Sequence, residues 1–234
     1  MSSKMPADPN LKVSLLEPND IDTAAYTRIR HEAFRDDVNQ IFYSKAPNCE
    51  PSHATLEKFA ASIKDGILNK GITFTKCVDT STGQIIAGAR WTYHKPKDST
   101  AKERTWDEVN EELIAPEPYA ETNIDVWNGL FDLFYPNKRE IMGTKPYFSL
   151  DTLVTHKDHY RRGAGGLLLT DGLRRADEAG VEAYLESSPM GRPLYERFGF
   201  VPIKDVSLDL KRWDGHKELT WTLMKRPVQA SSDS

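Results

Sequence analysis

Residues 147–187 constrain what this chain can fold into more than any other stretch. Tyr147, Phe148, Leu150, Leu153 and Val154 form an apolar run that passes through the charged segment His156–His159 into Tyr160-Arg161-Arg162-Gly163-Ala164-Gly165-Gly166. The spacing then becomes helical, with Leu169, Leu173 and Ala176 at steps of four and three. It predicts a helix from about Gly165 to Ala179, with Gly180 as a left-handed C-cap. Glu182–Ser187 follows at once as a second strand. Strand, glycine turn, helix and strand make a βαβ unit, whose strands should be parallel and whose crossover right-handed.

The turn carries the chemistry. Glycines let the backbone bend tightly and leave consecutive N–H groups unshielded at a helix N-terminus bearing roughly half a positive charge, which attracts phosphate. Arg161 and Arg162 add donors whose geometry matches phosphate. A Walker loop would need Gly-Lys-Ser/Thr, and Leu167 and Leu168 stand there instead, which argues against NTP hydrolysis. A dinucleotide fingerprint lacks its third glycine because that position is Leu168. Glu186, at the end of the next strand, could still act as a ribose-binding acid, so a nucleotide-dependent oxidoreductase remains an alternative.

Further on comes Pro193-Leu194-Tyr195-Glu196-Arg197-Phe198-Gly199-Phe200. Together with Arg161-Arg162-Gly163-Ala164-Gly165-Gly166 and its leucines, this stretch resembles the acetyl-CoA-binding core of the GNAT N-acetyltransferases. The resemblance is strong over Ser149–Val201, diffuse over Lys12–Tyr93 and absent over about Lys95–Lys145. Tyr160 departs from the Gln or Arg usual at the start of the loop motif. The fold so implied is α/β, a mixed central sheet flanked by helices, with a long insertion between the third and fourth strands. The cosubstrate implied is acetyl-CoA. Its pantetheine arm would run along the backbone of Leu153, Val154 and Thr155, and its pyrophosphate would lie over Arg161, Arg162, Gly163, Ala164, Gly165 and Gly166, with Ser187 and Ser188 lining the other side.

Composition sets the remaining bounds. The 234 residues, 38% hydrophobic and 28% charged, suit one soluble domain over 11–226, with a loose N-terminus over 1–10 and a flexible tail over 227–234. A net charge of −4 argues against general nucleic-acid binding. Two cysteines and a start without an apolar core point to a reducing compartment, cytoplasmic with the nucleus left open. No stretch is long and apolar enough to cross a membrane. The six histidines show no ligand pair at helical spacing, so no metal site is expected. The expected partner is a small-molecule amine, with a homodimer left open.

In chain order, Leu11–Leu16 reads as a strand. Pro18-Asn19-Asp20 offers an N-cap to a helix over about 21–34, with Ala25, Ile29 and Phe34 near one face. Residues 35–52 read as loop or broken helix, and Leu56–Leu68 as a second helix. Ile72–Val78 and Gln84–Tyr93 form a hairpin in which Gly88 marks a bulge, a close approach or plain small-residue packing. Within 95–145, Lys102–Ile114 is weakly helical, and prolines at 116, 118 and 136 interrupt the rest of the segment. There Val126, Trp127, Leu130, Phe131 and Phe134 read as an amphipathic helix face, and Trp127, Phe131 and Phe134 are either core or the wall of an acceptor pocket. Val201–Leu210 and Glu218–Met224 form a closing hairpin around Trp213-Asp214-Gly215-His216.

Acyl transfer to an amine needs a proton acceptor and a group that meets the departing thiolate. By resemblance Tyr195, on a short helix that Pro193 opens and Gly199 ends, is the general acid. Asp151 is the first candidate base, because Ser149, Asp151 and Leu153 share one strand face and a carboxylate there is costly unless paired or used. Glu186 is the second, as base or as an anionic clamp for the amine, and a water stays open. The expected activity is direct acetyl transfer from acetyl-CoA to an amine in a ternary complex, with a catalytically inactive acyl-CoA-binding module as the other alternative.

Overall fold

The computed structural model describes residues 7–35, 38–213 and 218–229. In chain order the elements are β1 (Leu11–Leu15), α1 (Asp20–Phe34), α2 (Val38–Phe42), α3 (His53–Asn69), β2 (Thr73–Asp79), β3 (Gln84–His94) and α4 (Trp106–Glu112). Then come α5 (Ile124–Met142), β4 (Tyr147–Thr155), α6 (Ala164–Glu178), β5 (Glu182–Ser187), α7 (Arg192–Arg197), β6 (Val201–Asp209) and β7 (Glu218–Arg226). Among the described residues the strands form one mixed seven-stranded sheet of order β1-β2-β3-β4-β5-β7-β6. β4 and β5 are parallel, as a βαβ unit requires. The pairs β1–β2, β2–β3, β5–β7 and β6–β7 are antiparallel. The turn expected at 213–216 lies almost wholly outside the described residues.

The chain falls into two compact units interleaved along the sequence, one of Met1–Asp37, Ser52–Thr92 and Leu150–Arg175, the other of Val38–Pro51, Tyr93–Ser149 and Ala176–Ser234. In the first, Leu16, Tyr26, Ile63 and Phe74 are buried together, with Phe59, Ile67 and Ile72 packed against them. Tyr26 meets Phe74 edge to face at 5.3 Å. Gly88 proves to be a close approach: a Cβ there would stand 2.6 Å from the Tyr26 ring. The register shift lies on the facing strand, between Cys77 and Val78. On α1 the buried residues are Asp22, Thr23, Tyr26, Thr27 and Ile29, so Ile29 alone of the expected trio is fully buried. The reason is that Asp22 works inside: its carboxylate accepts from the Glu17 amide at 2.8 Å and from Lys76. Ala7–Asn10, expected to be loose, is held instead. The Asp8 amide donates to the Arg162 carbonyl at 3.0 Å, and Leu11 donates to the Asp8 carbonyl at 3.0 Å.

The second unit is built on α5. Val126 packs with Leu208 and Leu210, and further along Leu133 and Phe134 pack on Met142, Tyr147, Tyr184, Val206 and Leu223. Pro136 lies inside this helix rather than ending it. An interior proline costs about 3 kcal/mol, which apolar burial on both sides of it outweighs here. Phe134 meets Trp221 edge to face at 5.1 Å. Trp127 is half-buried, donating from Nε1 to the Pro116 carbonyl at 3.0 Å and touching Phe42.

Candidate active site

The first unit carries the glycine turn. The first helical bond of α6 is donated by Leu167 to the Gly163 carbonyl at 3.1 Å, so the amides before it lie outside the helix ladder. No acidic residue occupies the first turn of α6. Gly163 sits at φ 93°, and a Cβ there would lie 2.8 Å from the Ala7 Cα, so only glycine closes this bend. Arg161 is a non-glycine residue at φ 66°, a strained conformation that clusters at ligand-holding turns. These features fit a diphosphate laid across the backbone of Arg161, Gly163, Ala164, Gly165 and Gly166. The Arg162 side chain fits it less well, since its guanidinium is already answered by two carboxylates. It meets Asp8 at 2.7 and 2.9 Å and Asp79 at 2.7 Å. A hydrogen bond from Ser81 and then the Arg162 guanidinium hold the Asp79 carboxyl down at about 2.

On β4, Val154 is buried while Leu153 and Thr155 are partly exposed. The β4–β5 ladder covers Tyr147–Ser149 against Glu182–Tyr184, so Leu153–Thr155 lie past its last pair. Asp151 is not a lone carboxylate. Its Oδ2 accepts from the Thr92 hydroxyl at 2.5 Å and lies 3.3 Å from Arg90 Nε.

The second unit carries Glu186 and Tyr195. Glu186 faces Lys138 Nζ at 3.4 Å, and that ammonium lies 5.3 Å from the Tyr184 ring centre. Burial, and after it the Glu186 charge, push the Tyr184 phenol far up. Tyr195 sits on α7, which Gly191 opens with Pro193 in its first turn, and Gly199 follows at φ 85°. Its ring meets Phe200 at 6.0 Å, and burial pushes its phenol up to about 12. Ser187 Oγ donates to the Ser188 carbonyl at 2.8 Å, and Ser188 Oγ accepts from the Gly191 amide at 3.2 Å, which is turn chemistry.

One constellation escaped the sequence. His94, at the end of β3, has Nδ1 2.7 Å from Glu112 Oε2 and Nε2 2.9 Å from Ser149 Oγ. Glu112 also accepts from Arg104 Nη1 at 2.6 Å. No local pattern joins residues separated by 18 and 55 positions. Among the described residues, no group of three or more His, Cys, Asp or Glu side chains could hold a metal ion. Nor is any described helix long and apolar enough to cross a membrane.

Comparison with known proteins matches part of this chain to a known domain. The model described as "Acetyltransferase (GNAT) domain" matches residues 138–209, which hold the end of α5, β4, the glycine turn, α6, β5, α7 and β6. Among solved structures, a polyamine N-acetyltransferase of Drosophila melanogaster superposes with a TM-score of 0.61 at 13% identity, over 93% of this chain and 100% of that one. A mosquito arylalkylamine N-acetyltransferase-like protein gives 0.60 at 14%, over 92% and 99%. A phosphinothricin acetyltransferase of Sinorhizobium meliloti, solved with AcCoA, gives 0.57 at 13%, over 96% and 92%. At these identities the superpositions establish the fold, while the matched domain carries the loop and the Tyr195 helix; on that ground residues 138–209 hold a GNAT acetyltransferase domain and the chain is an acyltransferase.

Proposed function

We propose that this acyltransferase moves an acetyl group from acetyl-CoA to the amine of a small molecule by direct attack in a ternary complex. The observation that carries the cofactor half is the start of α6, where a glycine turn presents amides outside the helix ladder and no acid occupies the first turn. In this reading the turn from Arg161 to Gly166 cradles the diphosphate, with Arg162 contributing its backbone while its side chain stays on Asp8 and Asp79. The backbone of Leu153, Val154 and Thr155 receives the pantetheine arm as a strand would. Acetyl-CoA as donor is supported by the AcCoA found with the Sinorhizobium relative. A small amine as acceptor is supported by the polyamine and arylalkylamine enzymes that share the fold.

Tyr195 is the proposed group at the leaving sulfur. A phenol at about 12 stays protonated through the physiological range and hydrogen-bonds a developing thiolate more readily than it surrenders its proton outright. Asp151 and Glu186 are proposed to orient or receive the cationic amine. Each is met by a cation, Arg90 and Lys138 respectively.

Thermal-shift measurement tests the donor. Acetyl-CoA at one hundred times its Kd should stabilise the protein by about 2.7 kcal/mol, with NADH and ATP giving no shift. Stabilisation by NADH instead would favour an oxidoreductase. Thiol release over a panel of polyamines, arylalkylamines and amino acids then separates an enzyme from an inert acyl-CoA binder.

A further inference from the structure

Ahead of β1 the chain from Ala7 to Asn10 lies on the glycine bend as a strap, tied at both ends within the first unit. At one end the Asp8 amide donates to the Arg162 carbonyl at 3.0 Å, and Arg162 returns Nε and Nη2 to Asp8 Oδ2 at 2.9 and 2.7 Å. At the other, the Asn10 carbonyl accepts from the Thr80 amide at 2.8 Å and from the Thr80 hydroxyl at 2.9 Å. Between them Asp8 Oδ1 accepts from the Asn10 amide at 2.9 Å, and the Asp8 carbonyl accepts from Leu11 at 3.0 Å, so the strap enters β1 without slack. The last guanidinium nitrogen of Arg162, Nη1, donates to Asp79 Oδ2 at 2.7 Å and to His159 Nδ1 at 3.0 Å.

These ties fix the direction of one peptide. In a planar trans peptide the C=O and the N–H point opposite ways, so the bond that draws the Arg162 carbonyl to Asp8 turns the Gly163 N–H away from the strap. The next peptide is fixed by the helix: the Gly163 carbonyl accepts from Leu167 at 3.1 Å, which aims the Ala164 N–H out of the N-terminal end of α6. A Cβ at Gly163 would stand 2.8 Å from the Ala7 Cα, so the strap covers one face of the bend and leaves a ligand the other. Charge does not account for the arrangement. Two carboxylates around Arg162 repel a diphosphate, and attraction alone would leave that guanidinium unpaired beside it.

We propose that Asp8 is a positioning residue of the acetyl-CoA site, holding Arg162 so that the Gly163 N–H is preset for the diphosphate. This rests on the diphosphate reading above. Asp8 touches no part of the cosubstrate and acts through Arg162. A bend ordered in advance lowers the entropy that binding must otherwise remove.

Calorimetric titration of the full-length protein with acetyl-CoA tests this, because it reads the affinity and the number of sites separately. The Asp8 side chain is 24% exposed and precedes β1, so its truncation removes no core packing. Asp8→Ala should raise the Kd about tenfold, near 1.4 kcal/mol, with the number of sites unchanged. A merely structural loss would do the reverse, lowering the number of sites at the wild-type Kd. Asp8→Asn, whose side-chain oxygen still accepts from Arg162 and Asn10, should stay within about threefold of the wild type. Arg162→Ala breaks the same tie from its other end, so the double variant Asp8→Ala/Arg162→Ala should bind no more weakly than the weaker single variant. A Kd for Asp8→Ala at or below that of the wild type, the result that charge alone predicts, overturns the positioning role and leaves the donor reading standing. Fully additive losses in the double variant do the same. A wild type that does not bind acetyl-CoA overturns the donor reading, and the positioning role with it.

Discussion

Two helix starts in the first unit differ in what completes them. At α1 the protein supplies everything: Asn19 accepts from the Asp22 amide, and Asp20 and Asp22 place negative charge in the first turn. At α6 the protein supplies none of this charge, and the approach is a glycine bend with Arg161 in a strained conformation. A glycine bend leading into a helix start without anions suits an anionic ligand, and the cosubstrate proposed above would supply that charge. The contrast sets a structural terminus against a proposed binding terminus within one unit.

Four experiments act on that contrast, and the largest effect should come from outside it. Tyr195→Phe should lower kcat roughly a hundredfold while the Kd for acetyl-CoA stays near wild type, showing that the α6 start binds and does not react. A matched affinity and rate would remove the phenol from the chemistry. Next, Gly166→Asp against Gly166→Asn should weaken acetyl-CoA binding about tenfold, near 1.4 kcal/mol, while the melting temperature of the aspartate variant equals or exceeds that of the asparagine variant. Opposite signs for stability and affinity identify the site as one that binds an anion, and matched affinities would make α6 an ordinary helix.

The Arg162 clamp should give a smaller, pH-dependent effect. The Asp79 carboxyl is depressed from 3.8 to about 2, so the stability it contributes is fully present above the ordinary value and is lost as pH falls from 3.8 through about 2. In Arg162→Ala, acid unfolding measured by circular dichroism should lose part of that dependence. An unchanged acid limb would show that Ser81 alone holds Asp79. The smallest effect on function should come from Asn19→Ala, which should cost about 1 kcal/mol in chemical denaturation and leave acetyl-CoA affinity untouched.

What the sequence disclosed is what lies close together along it. The βαβ unit, the two hairpins and the α6 start rest on periodicity and turn residues within a few positions, and β5 appears at Glu182–Ser187 as read. The glycine bend and the short helix that carries Tyr195 were likewise legible because each motif is contiguous. Opaque were contacts whose partners the fold alone brings together. Asp8 reaches Arg162 across 154 positions and changes that arginine from a phosphate donor to a clamp. Asp151 pairs with Arg90 from another strand, and the imidazole of His94 finds its serine 55 positions away. The polar inner face of α1 could not be read by an apolar stripe, because Asp22 is buried to serve Glu17 and Lys76.

The interleaving of the two units carries a practical consequence for anyone shortening this polypeptide. Each unit is assembled from three separate stretches, and the boundary at Ser149 and Leu150 falls inside β4. No single cut therefore releases either one whole, and a nested set of deletions from either end should yield misfolded fragments rather than a minimal binding module.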